Sequence, residues 1–283
     1  MTTQNAEEVR GAVASHYSEA IKSQRKSGCC GGAKSKALDQ MAFAGYSETE
    51  FRELPDSAVS SSFGCGNPVA FAGVKPSDVV LDLGSGAGLD LLLAARAVGP
   101  TGRVIGIDMT DDMIARAREN VRAAGVTNVE VRKGIIEALP IEDSSIDWII
   151  SNCVINLSPE KEKVFSEIAR VLKPGGQMLV SDIVANDVPK ALLAEAAAYA
   201  SCVAGALSEE QFVAGLRVAG LTEVTVRDRI VYNNAQIKAA LDDALSGSKT
   251  ISSRIDEVIQ QLSGKVWSAE FYARKNSLAG ARQ

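Results

Sequence analysis

The chain has 283 residues, with five cysteines and one histidine, His16, to do chemistry. Cys29 and Cys30 are adjacent and precede Gly31 and Gly32, and Cys65 lies between Gly64 and Gly66. Cys153 sits in Ser151-Asn152-Cys153-Val154-Ile155-Asn156-Leu157, and Cys202 follows an alanine-rich stretch. No pair has the C-x-x-C spacing, and a single histidine excludes a zinc-finger pattern. It also removes most acid–base and triad mechanisms. Thiols without imidazoles suit a soft, sulfur-seeking substrate. A buried cysteine can otherwise serve as a small hydrophobe. That role fits Cys202 among alanines best, Cys65 less well, and Cys29 and Cys30 least.

The elements that must position these thiols follow from the apolar rhythm. Residues 7–25 read as a helix broken at Ser27–Gly32, and residues 33–45 as a weak helix. From Val79 strands alternate with helices, which predicts a parallel, doubly wound α/β sheet. The strands are expected at Val79–Leu83, Arg103–Ile107, Val129–Lys133, Ile146–Ser151 and Gln177–Ile183. The helices are expected at Leu89–Val98, Asp111–Ala124 and Glu160–Leu172. Beyond Val184 a helix is expected over Pro189–Val203, and Ser208-Glu209-Glu210-Gln211 has the form of a helix start. Val224–Val231 reads as a strand, 234–245 as a helix and Lys265–Ala273 as a last strand. Cys153 therefore follows the fourth strand, and ligands of open α/β sheets bind at the carboxyl ends of strands.

Gly84, Gly86 and Gly88 follow the first strand and open a helix. Their backbone can approach a ligand closely because no Cβ intervenes. The spacing is G-x-G-x-G, so the third glycine comes one residue earlier than in the dinucleotide fingerprint. Asp82, two residues before the turn, would repel a pyrophosphate but suits a cation. S-adenosylmethionine carries an ammonium and a sulfonium. Asp108 ends the second strand, where a carboxylate can accept both hydroxyls of a ribose.

Val79–Gly88 with Asp108 resembles motif I and its acidic partner in class I methyltransferases. Lys133–Pro140 is similar to their adenine-contacting loop, and Val171–Gly176 to their turn before the fifth strand. The resemblance implies S-adenosylmethionine as cofactor, contacted by Asp82, Gly84, Ser85, Gly86, Gly88, Asp108, Met109, Ile136, Glu137 and Asn152. Within that superfamily, Ser151–Lys161 resembles the signature of arsenite methyltransferases. Phe63-Gly64-Cys65-Gly66-Asn67-Pro68, Cys202–Leu207 and Cys29-Cys30-Gly31 resemble their other cysteine segments. This implies that Cys65, Cys153 and Cys202 bind trivalent arsenic, as arsenite or methylarsenite. It also implies that Cys29 or Cys30 forms a disulfide with Cys65 during turnover, reduced by thioredoxin or glutathione.

The resemblance divides the chain into an N-terminal lid segment (1–74), a methyltransferase core (75–185) and a smaller α+β C-terminal part for substrate (186–283). A net charge of −5 argues against a nucleic-acid-binding surface. No apolar run approaches the roughly 20 residues that span a bilayer, and residues 1–8 lack the marks of a signal peptide. A cytoplasmic location is expected, where the cysteines would not be a structural disulfide framework. Two other readings stay open at this level. One is a methyltransferase acting on carbon or oxygen of a small organic molecule. The other is a thiol-based protein that binds or senses a metalloid.

Overall fold

Runs of β-branched residues alternate with helix-forming runs from Val79 onward, and each run becomes a strand or a helix. The computed structural model describes residues 3–26, 54–60, 73–187, 202–203, 205–245 and 255–277. Its strands are β1 (Val79–Leu83), β2 (Arg103–Asp108), β3 (Val129–Lys133), β4 (Ile146–Asn152), β5 (Leu172–Ala185), β6 (Leu221–Val231) and β7 (Val266–Lys275). Its helices are α1 (Thr3–Lys26), α2 (Asp56–Ser60), α3 (Leu89–Val98), α4 (Asp111–Ala123), α5 (Lys161–Val171), α6 (Glu209–Val218), α7 (Asn234–Leu245) and α8 (Ile255–Leu262).

The seven strands form one sheet in the order β3-β2-β1-β4-β5-β7-β6. All described pairings are parallel except those of β7, which runs antiparallel to β5 and β6. The doubly wound Rossmann-like sheet expected from the sequence is present, and the last two strands add to its edge. The strand order reverses between β1 and β4. Loops leaving those two strands diverge there and open a crevice.

Both faces are covered. On one, α5 and α6 contribute Val164, Phe165, Ile168, Phe212 and Leu216 to a core with Leu83, Val180 and Phe271. Phe212 stacks on Phe271 at 3.9 Å between centroids and meets Phe165 edge-on at 5.2 Å. On the other, α3 and α4 pack Leu91, Ala94 and Ala117 against Val80, Ile150 and Leu179. A third cluster joins α1, α7 and α8 through Val9, Val13, Ile237, Leu241, Val258 and Leu262, and it includes both Cys153 and Cys202. The expected start of α6 is a capping box: Ser208 Oγ accepts from the Gln211 amide at 3.2 Å, and Gln211 Oε1 accepts from the Ser208 amide at 2.9 Å.

Several boundaries differ from expectation. Strand β5 starts at Leu172, because Leu172 pairs with Ile146 across an irregularity that absorbs Pro174 and the two glycines. It continues to Ala185 because β7 pairs with it without a break from Gln177 to Ala185. Helix α8 was not expected; its apolar residues Val258, Ile259 and Leu262 sit on one buried side. Cys202 and Val203 form a bend, not a helix end. The loop at Ser27–Gly32, the helix over 33–45, the loop at 63–68 and most of Pro189–Val203 lie outside the described residues. No described helix is long and apolar enough to cross a membrane.

Candidate active site

The glycine turn after β1 has a steric cause. Gly84 has φ 68°, and a Cβ there would lie 2.5 Å from both methyls of Val154. Only glycine lets the β1 loop approach the β4 loop this closely. Gly88, at φ 89°, is the residue before the first turn of α3. The Gly86 amide donates to Asp108 Oδ2 at 3.0 Å, and the Thr110 amide donates to Asp108 Oδ1 at 2.8 Å. The carboxylate that ends β2 is thereby oriented by the two loops that border the crevice.

The crevice is a cavity of about 970 Å³, counted to its open mouth. Its floor is Asp82, Gly84, Ser85 and Gly86; its sides are Asp108, Met109, Ile136, Glu137, Asn152 and Cys153. Arg10, Val13 and Tyr17 of α1 complete the wall. Helix α1 is tied down by ion pairs. Arg10 Nη1 reaches Glu160 Oε2 at 3.0 Å and Glu137 Oε1 at 3.4 Å, and Lys22 Nζ reaches Asp112 at 2.8 Å. Ser158 Oγ also donates to Glu137 Oε1, at 2.6 Å.

The electrostatics of the cavity favour a cation. Asp82 is buried, at 2% exposure. Burial raises its pKa well above the usual value, and the negative charges of Asp90 and Asp108 add to this. Burial also raises Asp108, against the pull of the Thr110 and Gly86 amides. Asp90 accepts from Asn152 Nδ2 at 3.3 Å. A ligand that brings positive charge relieves this repulsion. Among the described residues Ser85 Oγ is buried without a hydrogen-bond partner, so the cavity also offers an unused polar group.

Two of the cysteines meet beside this cavity. Cys153 follows β4, is 5% exposed, and donates its amide to Ser181 O of β5 at 2.8 Å. Cys202 is equally buried and donates its thiol to Cys153 O at 3.2 Å. Both hold positive φ, 58° and 60°, a region that non-glycine residues occupy only when their surroundings impose it. Burial pushes the Cys202 thiol up, and the charge of Asp182 adds to this; the Tyr17 hydroxyl and Lys161 act in the opposite direction. Cys202 is a free thiol, whereas Cys153 is disulfide-bonded. Cys29, Cys30 and Cys65 lie outside the described residues. Among the described residues no three His, Cys, Asp or Glu side chains converge as a metal cluster.

Residues 74–235 match the family described as "Methyltransferase domain". The chain is also similar to the solved structure of an arsenic(III) S-adenosylmethionine methyltransferase from Chlamydomonas reinhardtii. The two are 32% identical with a TM-score of 0.63, over 81% of this chain and 73% of that one. The chain belongs to the arsenite methyltransferase family. Curated members from Halobacterium salinarum and Homo sapiens are 44% and 32% identical to it, over 70% and 60% of this chain. The chain spans about half the length of these curated relatives, 50% and 49%.

For this member of the family, nine of the ten residues expected to contact the cofactor line the one cavity: Asp82, Gly84, Ser85, Gly86, Asp108, Met109, Ile136, Glu137 and Asn152. The tenth, Gly88, starts α3 instead. Sequence reasoning missed Asp90, although an acidic residue in the first turn of the helix after the glycine turn was a readable signal. It also missed Arg10 and Tyr17, which reach the cavity through a contact made more than a hundred residues away in sequence. The buried pair Asn156 and Asp182 behind the thiols was missed as well.

Proposed function

We propose that this protein transfers methyl groups from S-adenosylmethionine to trivalent arsenic held by cysteine sulfur. The observation that carries this reading is Cys153 at the wall of a cavity lined by Asp82, Asp90 and Asp108, with the Cys202 thiol bonded to the Cys153 carbonyl. Asp82 and Asp90 would face the cationic part of the cofactor, and Asp108 the ribose. Ser85 would supply a further polar contact, and Ile136 and Glu137 would flank the adenine. S-adenosylmethionine, when bound, supplies a methyl group on a positively charged sulfur, which the lone pair of thiolate-bound arsenic can take without a general base.

The residues of this chain hold and orient. Cys153, Cys202 and Cys65 would be the arsenic ligands. The closed wall of α1 would keep water from the reacting groups, and the fixed loops would bring donor and acceptor within reach. Arsenic is formally oxidised by two electrons on methylation. Two protein thiols can return those electrons as they join in a disulfide, with Cys29 or Cys30 paired to Cys65. Thioredoxin or glutathione would then reduce that bond.

Product analysis tests the reading. Purified protein with arsenite, S-adenosylmethionine and a thiol reductant is expected to form methylated arsenic. Cys153→Ser and Cys202→Ser are each expected to remove activity on both arsenite and methylarsenite. Replacing Cys29 and Cys30 together is expected to impair mainly the first methylation. Folded, cofactor-binding protein that yields no methylated arsenic would overturn the proposal.

A further inference from the structure

Behind the two thiols lies a polar group that the chemistry above does not use. Asn156 and Asp182 are fully buried, at 0% exposure each. The Asn156 amide donates to Asp182 Oδ2 at 3.1 Å. Asn156 Nδ2 donates to Asp182 Oδ1 at 2.9 Å and to Ile183 O at 2.5 Å. Asn156 Oδ1 accepts from the Leu207 amide at 3.4 Å, and Leu207 O accepts from the Ala185 amide at 3.2 Å. One asparagine thus joins three pieces of chain: the loop after β4 that carries Cys153, the end of β5, and the segment that carries Cys202.

This arrangement is costly for mere packing. A carboxylate is desolvated completely, and apolar residues of the same volume would fill the space without that penalty. What the pair supplies is position. Cys153 lies three residues before Asn156, and Cys202 lies five residues before Leu207. Both cysteines hold positive φ, a strained state that persists only where neighbouring contacts over-determine the backbone. The hydrogen bonds of Asn156 and Asp182 tie both segments to the same end of β5. Lys161, buried behind Ser158, donates to the Ser158 carbonyl at 2.8 Å and balances part of the Asp182 charge.

We propose that Asn156 and Asp182 form a positioning clamp that sets the separation of Cys153 and Cys202, and so decides whether arsenic is bound by sulfur from both. Neither residue lines the cavity. The proposal rests on the reading of Cys153 and Cys202 as arsenic ligands, and its test separates the two.

The experiment is arsenite binding to phosphine-reduced full-length protein. X-ray absorption counts the sulfur neighbours of arsenic, and titration gives the affinities for arsenite and for S-adenosylmethionine. Wild type is expected to show three sulfurs. Asn156→Ala is expected to show two, as Cys202→Ser does, with arsenite binding weakened at least tenfold and S-adenosylmethionine binding within twofold of wild type. Asn156→Ser, which cannot bridge Asp182 and Leu207 together, carries the same expectation should the alanine variant not fold. Wild-type sulfur count and affinity in a folded Asn156 variant would overturn the clamp alone. Wild type without arsenic–sulfur bonds would overturn the ligand assignment, and the clamp with it.

Discussion

Asp82 concentrates the electrostatics of the site in one side chain. Its carboxyl is desolvated and faces Asp90 and Asp108, which together push its pKa up. Asp82→Asn is expected to keep or raise the melting temperature of the ligand-free protein, because it removes that repulsion. The same change is expected to weaken S-adenosylmethionine at least about tenfold, through loss of a charge-assisted contact of roughly 1.5–3 kcal/mol. Thermal melts with and without the cofactor check both signs; an unchanged ligand-induced shift would contradict them. Asp82, Asp108 and the glycine turn were legible in the sequence because their geometry is local: a strand end, a turn and a helix start. Asn156 and Asp182 were not, because their meaning lies in a hydrogen bond between residues 26 positions apart. The place of Cys153 after a strand end was legible, while its disulfide bond was not, since a thiol in sequence carries no record of its partner.

At the level of elements, β7 shows what periodicity conveys and what it omits. Its span was readable from Lys265–Ala273, and the structure places it at Val266–Lys275. Its position between β5 and β6 was not readable, because a strand's neighbours depend on which buried faces meet. That position buries Glu270 opposite Ser181, whose hydroxyl has no partner among the described residues. Burial and the charge of Asp228 raise the Glu270 carboxyl to about 7 from an ordinary 4.5, against the pull of Arg227. A raised folded-state pKa means stability that is present below about 4.5 and lost as pH rises through about 7. Glu270→Gln is expected to flatten this dependence and to stabilise the protein at pH 8 by about 1 kcal/mol. Urea unfolding at pH 6 and pH 8 measures it; equal pH slopes in wild type and variant would count against the assignment. The same limits apply to α1. Its helical pattern was visible, but its role as the cavity wall comes from Arg10 pairing with Glu137 and Glu160 on distant loops.

For the whole molecule, the sheet's reversal between β1 and β4 puts the acidic cavity and the two thiols side by side. Helices α1, α7 and α8 close an apolar cluster around those two cysteines, which gives α7 and α8 a role that no motif in them announces. The fold class and the cofactor loops were legible because alternation and turn chemistry repeat along the chain. The walls of the cavity were less legible, since they come from segments far apart in sequence. The central claim is that the methyl group leaving S-adenosylmethionine ends on arsenic. The most direct measurement follows S-adenosylhomocysteine and methylated arsenic together in one reaction containing arsenite and a thiol reductant. The account predicts one methyl on arsenic for each S-adenosylhomocysteine formed, and neither product with Cys202→Ser. S-adenosylhomocysteine formed without methylated arsenic, or arsenite bound with no turnover of the cofactor, would contradict it.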